Sequence, residues 1–156
     1  MEGDPKIPQG ASMNFPDIGI LDVLDSLPFY VMLIDRNHRI LLVNQATRNR
    51  LQREPDEILG KFCPKVVHGL DEDEVYPGCP LAEAVETGAA VEHEHFDKKQ
   101  GIWVRTAVYP TRSYMPDGER IYLHMIVDIT DQKNAREELS RSEEKYRLLL
   151  EELIKT

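Results

Sequence analysis

The clearest pattern of hydrophobic and polar positions lies in the C-terminal part of the chain, from Arg120 to Thr156. Apolar side chains first alternate along one face, at Ile121, Leu123, Met125, Val127 and Ile129. This period of two predicts a half-buried β-strand with Tyr122 and His124 on its other face. From Asp131 the spacing changes to steps of four and three, at Ala135, Leu139, Ser142, Tyr146, Leu149 and Leu153. We therefore predict a strand followed by one long helix over 131–156, with Thr130 as its N-cap.

The predicted C-terminal helix carries only two seam positions per heptad, and the remaining positions are rich in Glu, Lys and Arg. Such a stripe is narrower than the apolar face of an ordinary core helix and is typical of a coiled coil. We therefore predict that this helix leaves the domain and forms a parallel homodimer. The alternative is a polar surface helix that folds back on its own domain.

The rest of the chain alternates short strands and short helices. Two turns have strong local signals: Asn44 suits a helix N-cap, and Gly60 suits a helix end. Residues 1–14 are predicted to be a flexible arm, and Lys61–Pro80 is the least regular stretch. The remaining elements are predicted as helices at Phe15–Leu27, Gln45–Leu51, Asp56–Leu59 and Leu81–Thr87 and strands at Phe29–Ile34, Arg39–Val43, Val91–Phe96 and Ile102–Tyr109. This order predicts an α+β domain with an antiparallel sheet.

Charge and composition exclude several classes of function. The net charge is −9, and the acidic chain has no basic stripe, which argues against a nucleic-acid partner. No apolar run approaches the ~20 residues of a membrane span, and the polar N-terminus does not resemble a signal peptide. Two cysteines are too few for a secreted disulfide framework, so we expect a cytoplasmic protein.

Several short motifs from about Phe15 to Thr130 resemble the PAS domain family. In chain order they are Ile34-Asp35 with Arg39-Ile40, Val43-Asn44-Gln45-Ala46, Glu57-Ile58-Leu59-Gly60-Lys61 and Val127-Asp128-Ile129-Thr130-Asp131. The resemblance implies a five-stranded antiparallel sheet with small helices on one face around a pocket, and a long C-terminal exit helix. It also implies a cytoplasmic sensor or interaction module that regulates an output domain in the same chain, such as a histidine kinase or a cyclase.

A second resemblance lies within the exit helix. The run from Ser142 to Glu151 looks like the entry helix of another such domain, so residues 131–156 are predicted to link residues 15–130 to a second PAS domain. Asp128, Ile129 and Thr130 join the last strand to this helix and are predicted to transmit the signal. The alternative for Asp128 and Thr130 is plain helix capping.

The residues with metal-binding chemistry are Cys63, His68 and Cys79. They resemble a PAS subgroup with a Cys, a His-Gly pair and a Cys-x-x-Cys-Pro motif, although Tyr76 stands here at the first position of that motif. Thiolate and imidazole suit zinc or iron, and a closed zinc site needs four ligands, so His93 or His95 is the candidate for the fourth. The alternatives are that both cysteines pack as small hydrophobic residues or form a disulfide.

Other cofactors have weaker support. Non-covalent heme on His68 is disfavoured by its acidic neighbours, and Cys63 lies outside the sequence context of the flavin-binding subgroup. Large side chains on the strands are candidates to line a ligand pocket, with ordinary core packing as the alternative: Phe96, Trp103, Tyr109 and Met125.

Sequence motifs for catalysis are lacking. The chain contains no phosphate-binding loop, no Gly-x-Gly-x-x-Gly and no His-Glu-x-x-His. We therefore expect a non-enzymatic sensor that binds a small ligand or cofactor and relays the signal through its C-terminal helix. The alternatives are a redox or metal sensor that uses Cys63, His68 and Cys79, and a dimerisation domain without a ligand.

Overall fold

The computed structural model describes residues 18–71 and 74–155. The elements are α1 (Ile20–Asp25), β1 (Tyr30–Ile34), β2 (Ile40–Val43), α2 (Gln45–Leu51), α3 (Pro55–Ile58), α4 (Cys63–His68), α5 (Leu81–Thr87), β3 (Val91–Asp97), β4 (Ile102–Tyr114), β5 (Arg120–Asp128) and α6 (Thr130–Lys155). The strands form one antiparallel sheet in the order β2-β1-β5-β4-β3. The predicted α+β fold, with five strands and a long C-terminal helix, is confirmed.

Three predicted elements differ from the structure. The stretch expected to be irregular contains α4, which begins with Pro64 in its first turn and ends at Gly69, whose φ of 66° is left-handed. Helix α1 begins only at Ile20, and β4 continues five residues past Tyr109, to Tyr114. The predicted arm over 1–14 lies outside the described residues, as do residues 15–17.

Asn44 connects the β1–β2 hairpin to α2 and is fully buried. Its Oδ1 accepts hydrogen bonds from the backbone N–H groups of Thr47 and Val31, at 3.1 Å each. Its Nδ2 donates to the carbonyl oxygens of Leu24 and Phe29, at 3.0 and 2.9 Å. The predicted N-cap is therefore confirmed, and the same side chain also fixes the residues before β1.

The short helices α2 to α5 pack on one face of the sheet. Side chains from the sheet and the helices form one hydrophobic core that includes Met32, Ile34, Ile40, Ile58, Val66, Leu81, Val104 and Ile126. On β5 this inner face carries Tyr122, His124 and Ile126, which are 2–7% exposed. The alternating apolar set that identified this strand, from Ile121 to Val127, lies on the other face and is half-buried.

Helix α6 leaves the sheet as a long, exposed element, and none of its residues is buried. The predicted seam is exposed along its length, with Leu139 61%, Tyr146 65% and Leu153 71% exposed. No helix within residues 18–71 and 74–155 is both long and apolar enough to cross a membrane.

Candidate functional site

A cavity of about 230 Å³ lies between the inner face of the sheet and helices α2 and α4. The apolar part of its wall comes from both layers and consists of Tyr30, Met32, Leu51, Val66, Val67, Ile102, Val104 and Ile126. Polar side chains also converge on it, and they define its chemistry.

The most buried polar group in the cavity wall is the imidazole of His124 on β5, which is 2% exposed. Its Nε2 lies 2.9 Å from Oγ1 of Thr106 on β4, and Thr106 is buried as well. Its Nδ1 is buried without a hydrogen-bond partner among the described residues. Burial, with smaller contributions from the neighbouring His68 and His38, lowers the pKa of His124 to about 3, so this imidazole is neutral at pH 7.

A second group of rings lines the cavity on the side of α4 and β3. His68 stacks on Tyr76 with 3.9 Å between ring centroids and 22° between their planes. The Tyr76 hydroxyl lies 3.0 Å from Nε2 of His95, and Nδ1 of His95 is buried without a partner in the described part of the chain. Burial lowers the pKa of His68 to about 4 against the opposing effect of Asp97, and burial also lowers the pKa of His95.

Four charged residues line the same cavity: Arg50, Arg53, Asp97 and Asp128. Asp97 is 8% exposed, and its carboxylate accepts the backbone N–H groups of Lys99 and Gln100, at 2.9 and 3.1 Å. Arg50 donates to the side-chain oxygen of Gln100. The two formal positive charges equal the two negative ones, so the cavity carries no net charge when its histidines are neutral.

The four side chains predicted to line a ligand pocket do not line this cavity: Phe96, Trp103, Tyr109 and Met125. Strands alternate their side chains, and the inner positions of β3, β4 and β5 belong instead to residues such as His95, Thr106 and His124. Phe96 and Trp103 pair on the opposite face of the sheet, 5.7 Å between centroids, and the Tyr109 hydroxyl donates to Glu92. The prediction is therefore wrong for this cavity, because it assigned the large side chains to the inner face.

The residues predicted to bind a metal lie in three different settings. His68, His95 and Cys79 line the cavity, Cys63 is part of the hydrophobic core, and Nε2 of His93 lies 3.4 Å from a carboxylate oxygen of Glu83. Within residues 18–71 and 74–155, no three His, Cys, Asp or Glu side chains come together as a metal-binding group. The structure thus gives the predicted zinc or iron site no support.

Both cysteines are free thiols. Burial raises the pKa of Cys63 to about 12, and the nearby Cys79 thiol adds to the shift. Burial also raises the pKa of Cys79, against a hydrogen bond from the backbone of Leu81. A thiol becomes a good metal ligand or nucleophile only as a thiolate, so both side chains are suited to packing.

The three residues predicted to transmit the signal do form the junction between β5 and α6. The Asp128 carboxylate accepts the N–H of Thr130 at 2.9 Å, and the N–H of Ile129 donates to the Trp103 carbonyl at 2.8 Å. Thr130 is the first residue of α6, and its hydroxyl oxygen accepts the Trp103 N–H at 2.9 Å. The predicted N-cap at Thr130 is therefore wrong, because its hydroxyl is bonded to β4.

A second contact holds the first turn of α6 against the sheet. Lys133 lies 4.9 Å from the centroid of the Trp103 ring and forms an ion pair with Glu94 of β3. Glu94 also accepts from Arg105 at 2.7 Å. Hydrogen bonds from Lys133 and Arg105 lower the pKa of Glu94 to about 2, so this carboxylate stays ionised between two cations.

Several residues of the cavity wall are not predicted from the sequence, among them His124, Thr106, Asp97 and Tyr76. A signal for the first two was present, because a histidine and a threonine interrupt apolar inner positions on two adjacent strands. Tyr76 stands where the related motif has its first cysteine, and that position does not predict a contact between rings. Its partner His95 is far away in sequence, so their contact could not be predicted.

Comparison with known proteins agrees with this architecture. A family model described as the PAS fold matches residues 24–134. None of the curated proteins matches the sequence. Among solved structures, a domain of an HTR-like protein from Haloarcula marismortui is 23% identical, with 67% of this chain and 100% of that chain covered and a TM-score of 0.53.

Two further solved structures are similar at lower identity. The PAS domain of BvgS from Bordetella pertussis is 18% identical, with 81% and 95% of the two chains covered and a TM-score of 0.53. A sensory box sensor histidine kinase from Vibrio cholerae is 17% identical, with 70% and 87% covered and a TM-score of 0.52. At these identities the similarity shows the fold alone. Because the PAS family model spans more than half of the sequence, the chain belongs to the PAS family.

Proposed function

We propose that this PAS domain is a sensor module that binds a small molecule in its inner cavity and relays occupancy to α6. The observation that carries the proposal is the position of Asp128. It lines the cavity, and its carboxylate accepts the N–H of Thr130, the first residue of α6. The cavity and the start of the exit helix therefore share one side chain.

The volume of the cavity limits what the domain can bind. About 230 Å³ exceeds the ~150 Å³ of an engineered apolar cavity that holds benzene. It is smaller than the ~300–1,000 Å³ of sites for drug-sized ligands. The proposed ligand is therefore a ring-sized molecule, and a heme or flavin is too large for the cavity in this form.

The proposed relay runs through β4 and β5. Ile102 and Val104 line the cavity and flank Trp103, whose backbone N–H and carbonyl bind Thr130 and Ile129. A ligand that displaces these strands by a fraction of an ångström would alter both hydrogen bonds. The junction would then have two arrangements, one with these hydrogen bonds as described and one with them altered. A ligand changes the balance between the two only to the extent that it binds one arrangement more tightly than the other.

The second part of the proposal, transmission of the signal to an output domain, rests on α6. Its exposed seam supports parallel pairing with a second copy of the chain, and its length supports transmission to an output domain beyond it. The domain itself would perform no catalysis. In a ligand-free dimerisation domain, by contrast, α6 would pair in the same way without any response to the cavity.

Trp103 provides a built-in test, because it is the only tryptophan and lies at the junction without lining the cavity. Its indole N–H gives one signal in a ¹H–¹⁵N spectrum. We expect acetophenone, a ring-sized probe, to shift the backbone signals of Val104 and Ile126 and the Trp103 indole signal together. We also expect the probe to change amide hydrogen exchange in the first turn of α6. The relay would be contradicted if the probe shifted the signals of Val104 and Ile126 but changed neither the indole signal nor this exchange.

A further inference from the structure

The cavity contains a buried hydrogen-bonding atom that the described residues leave unpaired, Nδ1 of His124. The residue is 98% buried, and its ring lines the cavity wall. Buried polar groups in folded proteins are nearly always paired, and an unpaired one needs an explanation. A bound molecule with the matching group supplies such an explanation.

Thr106 determines which group would match. A neutral imidazole carries one N–H and one acceptor nitrogen. If Nε2 carried the proton, it would donate to Thr106 Oγ1, and the buried threonine hydroxyl would then lack an acceptor while Nδ1 lacked a donor. If the hydroxyl donates to Nε2, the only group of this His124–Thr106 pair without a partner among the described residues is the Nδ1–H. The second arrangement leaves fewer unpaired groups, so Nδ1 of His124 is a donor.

The remaining wall adds shape and charge. The stacked rings of His68 and Tyr76, with His95 beside them, form an aromatic surface that suits a planar ring packed against it. The formal charges of the cavity cancel, and the burial of His68 and His124 keeps both imidazoles neutral at pH 7. An ion would lose its hydration here without a net opposite charge in return.

We propose that the cavity takes a neutral, planar, ring-sized molecule whose carbonyl-type oxygen or ring nitrogen accepts a hydrogen bond from Nδ1–H of His124. The proposal rests on the proposed function, because it names the class of ligand for the same cavity. It assigns His124 as the residue that selects for the acceptor and Thr106 as the residue that fixes its tautomer.

The first measurement needs no ligand and no variant. Long-range ¹H–¹⁵N spectra of the histidine rings distinguish the two neutral tautomers. We expect His124 to carry its proton on Nδ1 in the free wild-type protein. A proton on Nε2 would overturn the proposal.

The second measurement compares probes by NMR titration. Acetophenone has the required acceptor, and α-methylstyrene has the same shape with a methylene in place of the oxygen. Benzoate keeps the ring and the acceptor and adds a negative charge. We expect acetophenone to bind about tenfold more tightly than α-methylstyrene, which corresponds to ~1.4 kcal/mol, and more tightly than benzoate.

Two variants assign the preference to one side chain. His124→Phe retains a ring and loses the donor, so it should bind acetophenone and α-methylstyrene equally. His93→Gln is the matched control, because His93 lies on β3 outside the cavity wall, and it should keep the wild-type preference. If His124→Phe does not fold, the tautomer and the wild-type ratio of affinities still decide the question.

The outcomes separate this proposal from the proposed function. Equal binding of acetophenone and α-methylstyrene by the wild type would refute selection for an acceptor and leave a small-molecule sensor intact. Tighter binding of benzoate would refute the neutral ligand class. Binding of none of the three probes would count against both the ligand class and the sensor function.

Discussion

Acidification should destabilise this domain through His124, because the folded protein holds that side chain neutral. The pKa of a histidine in the unfolded chain is about 6.5, and burial lowers it to about 3 in the folded protein. Between these two values the unfolded state binds one more proton at this site than the folded state. The free energy of unfolding therefore falls as the pH drops below about 6.5 and continues to fall until about pH 3.

The magnitude follows from the pH interval. From pH 6.5 to pH 5 the interval is about 1.5 units at ~1.4 kcal/mol each, which gives a loss of ~2 kcal/mol from His124. A domain of this size is stable by roughly 5–15 kcal/mol. One buried imidazole thus accounts for a measurable share of the total.

The assay is urea denaturation at pH 8, 7, 6 and 5 for the wild type and for His124→Gln, which cannot titrate. Other histidines with lowered pKa values, His38, His68 and His95, are present in both proteins and cancel in the difference. Between pH 7 and pH 5, the free energy of unfolding should fall by ~2 kcal/mol less in the variant than in the wild type. Equal losses would show that His124 is not held neutral, and would refute the reasoning.

Three further predictions follow from named contacts. Asn44→Ala should lower the free energy of unfolding by about 3 kcal/mol, because it removes an N-cap and leaves buried backbone groups unpaired; Asn49→Ala, at an exposed position of the same helix, should change it by less than ~0.5 kcal/mol. Glu94→Gln should speed hydrogen exchange in the first turn of α6, whereas Glu137→Gln, which breaks a surface pair within the helix, should not. Leu149→Glu should convert a dimer to a monomer in sedimentation, whereas Leu150→Glu, at an exposed position off the seam, should leave the dimer intact.

The sequence predicted those parts of the fold that depend on local signals. The N-cap at Asn44, the turn at Gly60 and the end of the helix Leu81–Thr87 all require particular backbone geometry, and the structure has each of them. Helix α4 was missed because its six residues are too few to show a hydrophobic period. Its clearest local signal was Gly69, which ends the helix in a left-handed conformation.

The family resemblance implies a pocket, but the residues that line the cavity could not be predicted, because the sequence does not show which face of a strand the helices cover. β4 and β5 carry apolar residues on both faces. The prediction therefore assigned Trp103 and Met125 to the inner face only because their side chains are large. The structure instead places His124 and Thr106 there. A buried histidine–threonine pair across two strands depends on sheet register, which brings residues 18 positions apart into contact.

The most direct test of the central claim, that the cavity and α6 form one coupled system, starts from the helix. Thr130 does not line the cavity, and its hydroxyl oxygen binds the Trp103 N–H. If the junction has two arrangements that the cavity senses, a substitution that favours one of them also changes the affinity of the cavity for its ligand. We predict that Thr130→Val changes the dissociation constant of acetophenone by about fivefold, while Glu144→Gln, farther along α6, leaves it unchanged. Equal dissociation constants for the wild type and Thr130→Val would contradict the account.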